Sequence, residues 1–453
     1  MLEPAYQADV VIVGAGVAGL AAAHRLTSAG ITTAVLEAAP YPGGRMSTEK
    51  VDGFRLDRIG QLLSTSYPEL RRTPALDALA LRSFAPGVLL HSDGRRHRAG
   101  ALTGPAGARR ARGALHAVRA LASAPRASAA PRARAGAPLG TAVDQARLGA
   151  ALARLASAPV ERLLNRPEAP AARALAERGI PARTIDGFLR PLLAALLYDP
   201  ELTTSSRCAD LALHAFAGGR LCLPEGGAEA LPELLAASLP PGTVHTGVRV
   251  TSIATTAVTT AEHGEIRCRA VLLATDARTA GELLPGLRVP GFHPVTVLHH
   301  TMDEAPDTGA SLLLDADRSG PVAHTAVISR VDPSRAPAGR ALVTSTVLGA
   351  PPPDVDTAVR MHLARLYGTS TARWETLAVH HTPEAVPAMT APHDLRRPVR
   401  LLAGLYVCGD HRDTGSLQGA LVSGRRAAAA VLADLPAETR SRRPAGRHPA
   451  ARR

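Results

Sequence analysis

At 453 residues the chain is long enough for two or three domains and a large core. Its 46% apolar and 20% charged residues are ordinary for a globular protein, and with neither a run of 18 apolar residues nor a basic and then apolar leader, no spanning helix or secretory signal is expected. Of the net charge of +13, ten Arg between Arg95 and Arg134 contribute +10 and the stretch from Glu438 onward +5, leaving −2 for the rest, and only five Phe, six Tyr and one Trp are present, so a nucleic-acid partner is excluded.

The first 45 residues read as strand, glycine turn, helix, strand and second glycine turn. Asp9 to Val13 is a short β-branched run, Leu20 to Ser28 is Ala-rich and helical with Gly30 as its stop, and Thr32 to Leu36 is the next strand, ending at Glu37. From about Leu70 to Leu239 the pattern is mainly helical, interrupted by a Gly/Ala/Pro/Arg segment from about Ala99 to Gly140 that reads as a loop or as loosely packed helices. Strand character returns at Thr243 to Ile253 and Ala270 to Ala274. The runs Val295–His299, Ser311–Leu314, Val322–Val331 and Ala341–Leu348 predict an antiparallel sheet. Leu401 to Cys408 is a buried strand and Leu417 to Leu432 a closing helix; the Arg/Pro/Ala tail is expected to lack structure.

The chemistry concentrates in the glycine turns. Gly14, Gly16 and Gly19 follow a strand and open a helix, where they permit a tight turn, a close approach of backbone to a pyrophosphate, and close helix–strand packing. The helix N-terminus then presents free N–H groups to that pyrophosphate. Glu37, 23 residues beyond Gly14 at the end of the second strand, is placed to accept hydrogen bonds from ribose hydroxyls. Gly43 and Gly44 allow a further backbone contact, and Arg45 sets a cation near the phosphates. Near the other end a buried strand delivers Asp410, and Ser416, Leu417 and Gln418 begin a helix whose amides face the cofactor.

Together these stretches resemble the FAD-dependent amine oxidase superfamily, which contains flavin amine oxidases, protoporphyrinogen oxidase and phytoene-desaturase-type enzymes. The resemblance extends through Asp52 to Asp57 with Gly60 and Gln61, similar to the family's second flavin-contacting stretch, and through Gly247 to Ile253, where Val250 lies on the strand whose backbone holds the adenine. It continues at Ala270 to Asp276 and at Leu421 to Ala428. Residues 95–180 match poorly, and Ala39 stands where many members carry an Arg. The resemblance implies an α/β fold: a Rossmann-like, glutathione-reductase-type FAD domain interleaved with an α+β substrate domain containing an antiparallel sheet. The expected division is 1–69, 240–290 and 396–435 for the FAD domain, 70–239 for a mainly helical cap with a basic loop near 95–140, 291–395 for the sheet, and 436–453 for the tail. Non-covalent FAD is implied, because no Cys stands at the usual attachment motif.

Gly187 to Pro191, Tyr198 to Ser206 and Leu223 to Ala228 look like the phytoene-desaturase-like branch. Amine oxidases of the superfamily commonly set an aromatic before the closing helix and a lysine beside the flavin. Here Gly415 and Ser416 occupy the first place, and the single lysine, Lys50, lies elsewhere. An aromatic cage built otherwise, from Phe292, Trp374 or Tyr406, keeps amine oxidation open. The expected reaction is two-electron C–C desaturation of a largely apolar small molecule by hydride transfer, with amine oxidation and redox-neutral isomerisation as alternatives. For an acid–base role the candidates are His411 and Arg412, ahead of His299, His300, His324, His380 and His381 in the predicted sheet, where adjacent pairs point to opposite faces. With one dinucleotide fingerprint, the electron acceptor is expected to be oxygen, a quinone or a protein. The four scattered cysteines predict neither disulfide nor metal site, consistent with a cytoplasmic protein, and the Arg-rich segment offers peripheral contact with anionic lipid or a solvated insertion.

Overall fold

The computed structural model describes residues 8–100 and 139–435; the expectations for the rest of the Arg-rich segment and for the tail lie outside the described residues. Among the described residues no helix is long and apolar enough to cross a membrane.

Two sheets organise the chain. In the first, the strands Val244–Thr246, Thr33–Glu37, Val10–Val13, Ala270–Leu273 and Leu405–Val407 pair in that order and in parallel, and Arg400–Leu402 adds an antiparallel edge. The central strands are apolar at every position because both faces are covered. Val10, Ile12 and Leu272 pack under the helices Val17–Ser28 and Leu417–Asp434. Val11, Val13 and Val271 pack against a three-stranded antiparallel sheet formed by Val250–Ile253, Ala257–Thr260 and Gly264–Arg267. The two helices cross in near-backbone contact. A Cβ at Gly424 would stand 2.3 Å from the Ala18 carbonyl oxygen, which only glycine avoids.

The second sheet has seven strands, in the order Glu375–Pro387, Phe292–Met302, Ala341–Leu348, Val322–Val327, Leu313–Asp315, Val88–Ser92 and Arg95–Ala99. Leu313–Asp315 and Val88–Ser92 run parallel, and the other neighbours are antiparallel. Its side chains alternate as a two-sided sheet requires. Leu90, Leu314, Ala326 and Leu342 face the helical block that includes Phe188 and Phe216, whereas Leu313, Val327 and Val343 face the helix Val355–Tyr367.

The described part of 70–239 is mainly helical, as the sequence reading expects. That stretch also supplies Leu81–Ser83, Val88–Ser92, Arg95–Ala99 and Leu221–Pro224, so the substrate sheet is not confined to 291–395. The basic segment begins as an edge strand and not as a loop. Asp93 and Gly94, with φ of 48° and 69°, form the tight turn that returns it against Val88–Ser92. Exposed cations suit such an edge, since they discourage pairing with another chain.

Candidate active site

A cleft of about 340 Å³ opens beyond the carboxyl ends of the parallel strands, where the strand order turns back on either side of Val10–Val13. One end is set by Glu37. Its Oε2 accepts from the Ala15 amide at 2.7 Å and its Oε1 from the Ala39 amide at 2.9 Å, so the carboxylate ties the second strand to the first glycine turn. Val250 lines the same end.

In the middle the two glycine turns face each other. Gly14 has φ of 105°, and a Cβ there would meet the Ala274 carbonyl oxygen at 2.9 Å, so no other residue fits. Gly16 bridges to Gly43, and a Cβ on Gly16 would meet nothing within 4 Å: its open side is the cleft. No acid occupies the first turn of the following helix, which leaves its amides free for an anion. This cradle with a carboxylate at its end has the donors and acceptors that a dinucleotide needs.

Arg45 crosses the cleft. One guanidinium nitrogen donates to Asp410 Oδ1 at 2.6 Å and the other to the Ala385 carbonyl at 2.8 Å. Burial works against the Arg45 charge, but Asp410 and then Asp276 hold its pKa above the ordinary value. Asp276 caps the helix Ala277–Leu283 through the Arg278 and Thr279 amides. Burial raises its pKa, yet bonds from Thr279 and Arg278 and the field of Arg45 bring it below the usual range.

The remaining end is apolar. Ile59, Tyr198, Val295, Val297, Ala385 and Val386 form one buried cluster where the substrate sheet meets the cleft, and four of them (Ile59, Tyr198, Ala385, Val386) reach its wall beside Gln61, Ser416 and Leu417. The Tyr198 hydroxyl donates to the Gly60 carbonyl at 3.1 Å.

Of the residues singled out in the sequence, Gly14, Gly16, Glu37, Gly43, Gly44, Arg45, Gln61, Val250, Asp410, Ser416 and Leu417 line this cleft. Gly19 lies behind it, where a Cβ would collide with the Gly14 carbonyl at 2.2 Å. Gly60 lines a neighbouring cavity of about 30 Å³ together with His299, His324 and Arg335. Gln418 is off the wall and accepts from the Glu69 amide at 3.1 Å. His411 and Arg412, the acid–base candidates, are not on this wall. The short turn after Gly409 buries both off the wall, with neither His411 ring nitrogen bonded and the Arg412 guanidinium donating to the Pro398 carbonyl. Burial lowers the pKa of His411 to about 4 and, with Arg397 and Arg426, that of Arg412 to about 10.

The sheet histidines alternate as expected. His299 is buried with Nε2 on the Asp57 carbonyl at 3.0 Å and Nδ1 on Thr344 at 2.9 Å, whereas His300 meets Asp356 at 3.0 Å on the opposite face. Sequence reasoning assigned no role to Met46, Tyr198, Asp276, Ala385 or Val386, all on the cleft wall. Asp276 carried a local signal, an acid directly after a buried strand and before a helix, and Tyr198 opened a stretch read only as a branch likeness.

Residues 17–432 match the family of flavin containing amine oxidoreductases. The chain belongs to that family. It is an oxidoreductase, and the dinucleotide cradle makes its flavin FAD. Putrescine oxidase of Kocuria rosea is 44% identical over 100 residues, 21% of this chain and 20% of that protein. Phytoene dehydrogenase of Streptomyces griseus is 36% identical over 104 residues, 19% of this chain and 20% of that protein. These matches span about a fifth of the curated relatives' length. Among solved structures, putrescine oxidase bound to putrescine superposes with a TM-score of 0.66 at 20% identity, covering 94% of this chain and 99% of that one. An oxidoreductase from Methanosarcina mazei gives 0.67 at 16%, covering 93% and 99%. These likenesses establish the fold.

Proposed function

We propose that this flavoprotein removes two hydrogens from adjacent carbons of a largely apolar substrate. The observation that carries this reading is the wall where the substrate sheet meets the cleft: Ile59, Tyr198, Ala385 and Val386 offer aliphatic surface and one hydroxyl that is already engaged with Gly60. The aromatic rings and the lysine that an amine site would draw on lie elsewhere among the described residues. Phe292 carries the Arg278 guanidinium at 5.9 Å, Trp374 packs with His300 and Tyr367, the Tyr406 hydroxyl bonds Asp434, and Lys50 pairs with Glu229 at 2.9 Å.

Bound FAD supplies a two-electron acceptor for hydride. The chain supplies position and dryness. Glu37 and the glycine turns hold the nucleotide end, the Arg45–Asp410 pair fixes the first and third segments of the FAD domain against each other, and the apolar cluster excludes water from the reacting carbons. No side chain on that wall is suited to deprotonate a cationic amine, and C–H oxidation by hydride loss requires none.

A second reading, amine oxidation, is favoured by the identity to putrescine oxidase. Anaerobic mixing of holo-protein with saturated and partly unsaturated polyenes, primary amines, diamines and amino acids separates the two. Flavin bleaching by the hydrocarbons supports desaturation; bleaching by amines alone overturns it.

A further inference from the structure

Away from the flavin cleft, at the end of the substrate sheet where Val88–Ser92 runs parallel to Leu313–Asp315, His91, Asp315 and Asp317 converge. One ligand atom of each lies within 4.8 Å of the others. His91 and Asp315 are 7% and 3% exposed, whereas Asp317 reaches solvent.

In a chain of 52 basic residues and net charge +13, neither carboxylate has an arginine or lysine partner among the described residues. Arg96, opposite His91 in the hairpin, turns its guanidinium to the Asp307 carbonyl at 2.8 Å. Two carboxylates and an imidazole this close form a donor set that a cation can join. An independent observation points to that cation: Nδ1 of His91 is buried without a hydrogen-bond partner, a cost that a native structure normally avoids.

The supporting bonds orient the carboxylates and leave lone pairs free. His362 Nδ1 accepts from the Val322 amide at 3.1 Å, so its Nε2 carries the proton and points it at Asp315 Oδ2, 3.1 Å away. Oδ2 also accepts from the Ser319 amide, while Oδ1 accepts only from the Asp317 amide at 3.1 Å. On Asp317, Oδ1 accepts from the Ser92 hydroxyl at 2.7 Å and Oδ2 from the Asp93 amide at 2.9 Å. Each of these last three oxygens keeps a free lone pair.

We propose that His91, Asp315 and Asp317 bind a divalent first-row transition ion, such as Zn²⁺. The imidazole selects such an ion over Ca²⁺ or Mg²⁺, which prefer all-oxygen sites, and two carboxylates neutralise its charge. Bonds of about 2.1 Å need ligand atoms about 3.4 Å apart, so closure asks a movement of about 1 Å, which the exposed Asp317 can supply. The ion would join the Val88–Ala99 hairpin to the rest of the sheet.

Untagged holo-protein, stripped with a chelator and dialysed, is titrated with ZnCl₂ and separately with CaCl₂ in equilibrium dialysis with elemental quantification. One Zn²⁺ per chain is expected, with Ca²⁺ at least tenfold weaker. Asp317→Asn should lose the site, and Ser92→Ala, which removes a bond to a ligand, should weaken it about 10- to 100-fold. Flavin content and the metal-free melting temperature check that each variant folds, and Ser92→Ala alone carries the test where Asp317→Asn does not. Absence of Zn²⁺ binding, Zn²⁺ binding unchanged in the folded variants, or Ca²⁺ binding as tight as Zn²⁺ would overturn the assignment.

Discussion

Glu37→Gln tests the nucleotide end of the cleft with almost no change in volume. In the wild type both carboxylate oxygens accept backbone amides, Ala15 at 2.7 Å and Ala39 at 2.9 Å. A carboxamide has one oxygen, so its NH₂ must face one of these N–H groups and that bond is lost. The ribose hydroxyl that Glu37 is placed to hold would then meet a neutral acceptor; a hydrogen bond to a charged acceptor is worth about 1.5–3 kcal/mol, and its loss corresponds to about a 10- to 150-fold fall in FAD affinity. Because both bonds exist before any ligand arrives, the apo-protein should also lose stability. The assay pairs titration of apo-protein with FAD, followed by quenching of flavin fluorescence, with urea unfolding of apo-protein. Weakened binding and a lowered apo midpoint are expected together. Unchanged affinity would refute the placement of Glu37 at the cofactor, and a fall in affinity with an unchanged apo midpoint would refute the claim that Glu37 also braces the empty turn.

Other expectations follow from single contacts. Gly424→Ala forces a methyl group against the Ala18 carbonyl oxygen, 2.3 Å from the new atom, and should cost about 1–3 kcal/mol or more, read as a lower melting temperature and less retained flavin. Asp276→Ala removes the cap of the helix Ala277–Leu283 and should cost about 0.5–2 kcal/mol by chemical denaturation; an unchanged midpoint would contradict the capping role. Burial depresses His324 to about 4, so the unfolded chain, with an ordinary value of 6.5, binds the extra proton between those limits and stability falls as pH drops through that window. At pH 5 this group should cost about 2 kcal/mol relative to neutral pH, and His324→Leu should lose that much less between pH 7 and pH 5.

What was legible in the sequence was chemistry carried by neighbours in the chain. The glycine turns, Glu37 and Arg45 each sit where a strand hands over to a turn or helix, and the backbone geometry that a pyrophosphate needs is dictated locally by glycine. The apolar end was not legible, because Ile59, Tyr198, Ala385 and Val386 come from three distant stretches and none is unusual where it stands. His411 shows the opposite case. It adjoins Asp410 in sequence, yet a tight turn sends successive side chains in different directions, and only Asp410 reaches the cleft. The edge strand Arg95–Ala99 was obscured by its arginines, although Asp93-Gly94 is a hairpin signal that outweighs composition.

Arg45 explains how an interleaved chain keeps one active site. It follows the second glycine turn, pairs with Asp410 after the last strand of the FAD sheet, and reaches the Ala385 carbonyl on the long edge strand of the substrate sheet. About a third of its side chain is exposed, so solvent screens the pair and its contribution to global stability is small. Its importance is geometric. A planar guanidinium with two contacts at fixed angles sets how far the substrate sheet stands from the nucleotide cradle, and a lysine, with one compact charge, cannot hold both partners in that register. The proposed hydride transfer would depend steeply on donor–acceptor distance, so under that reading this crossing contact ties the nucleotide cradle to the position of the apolar wall.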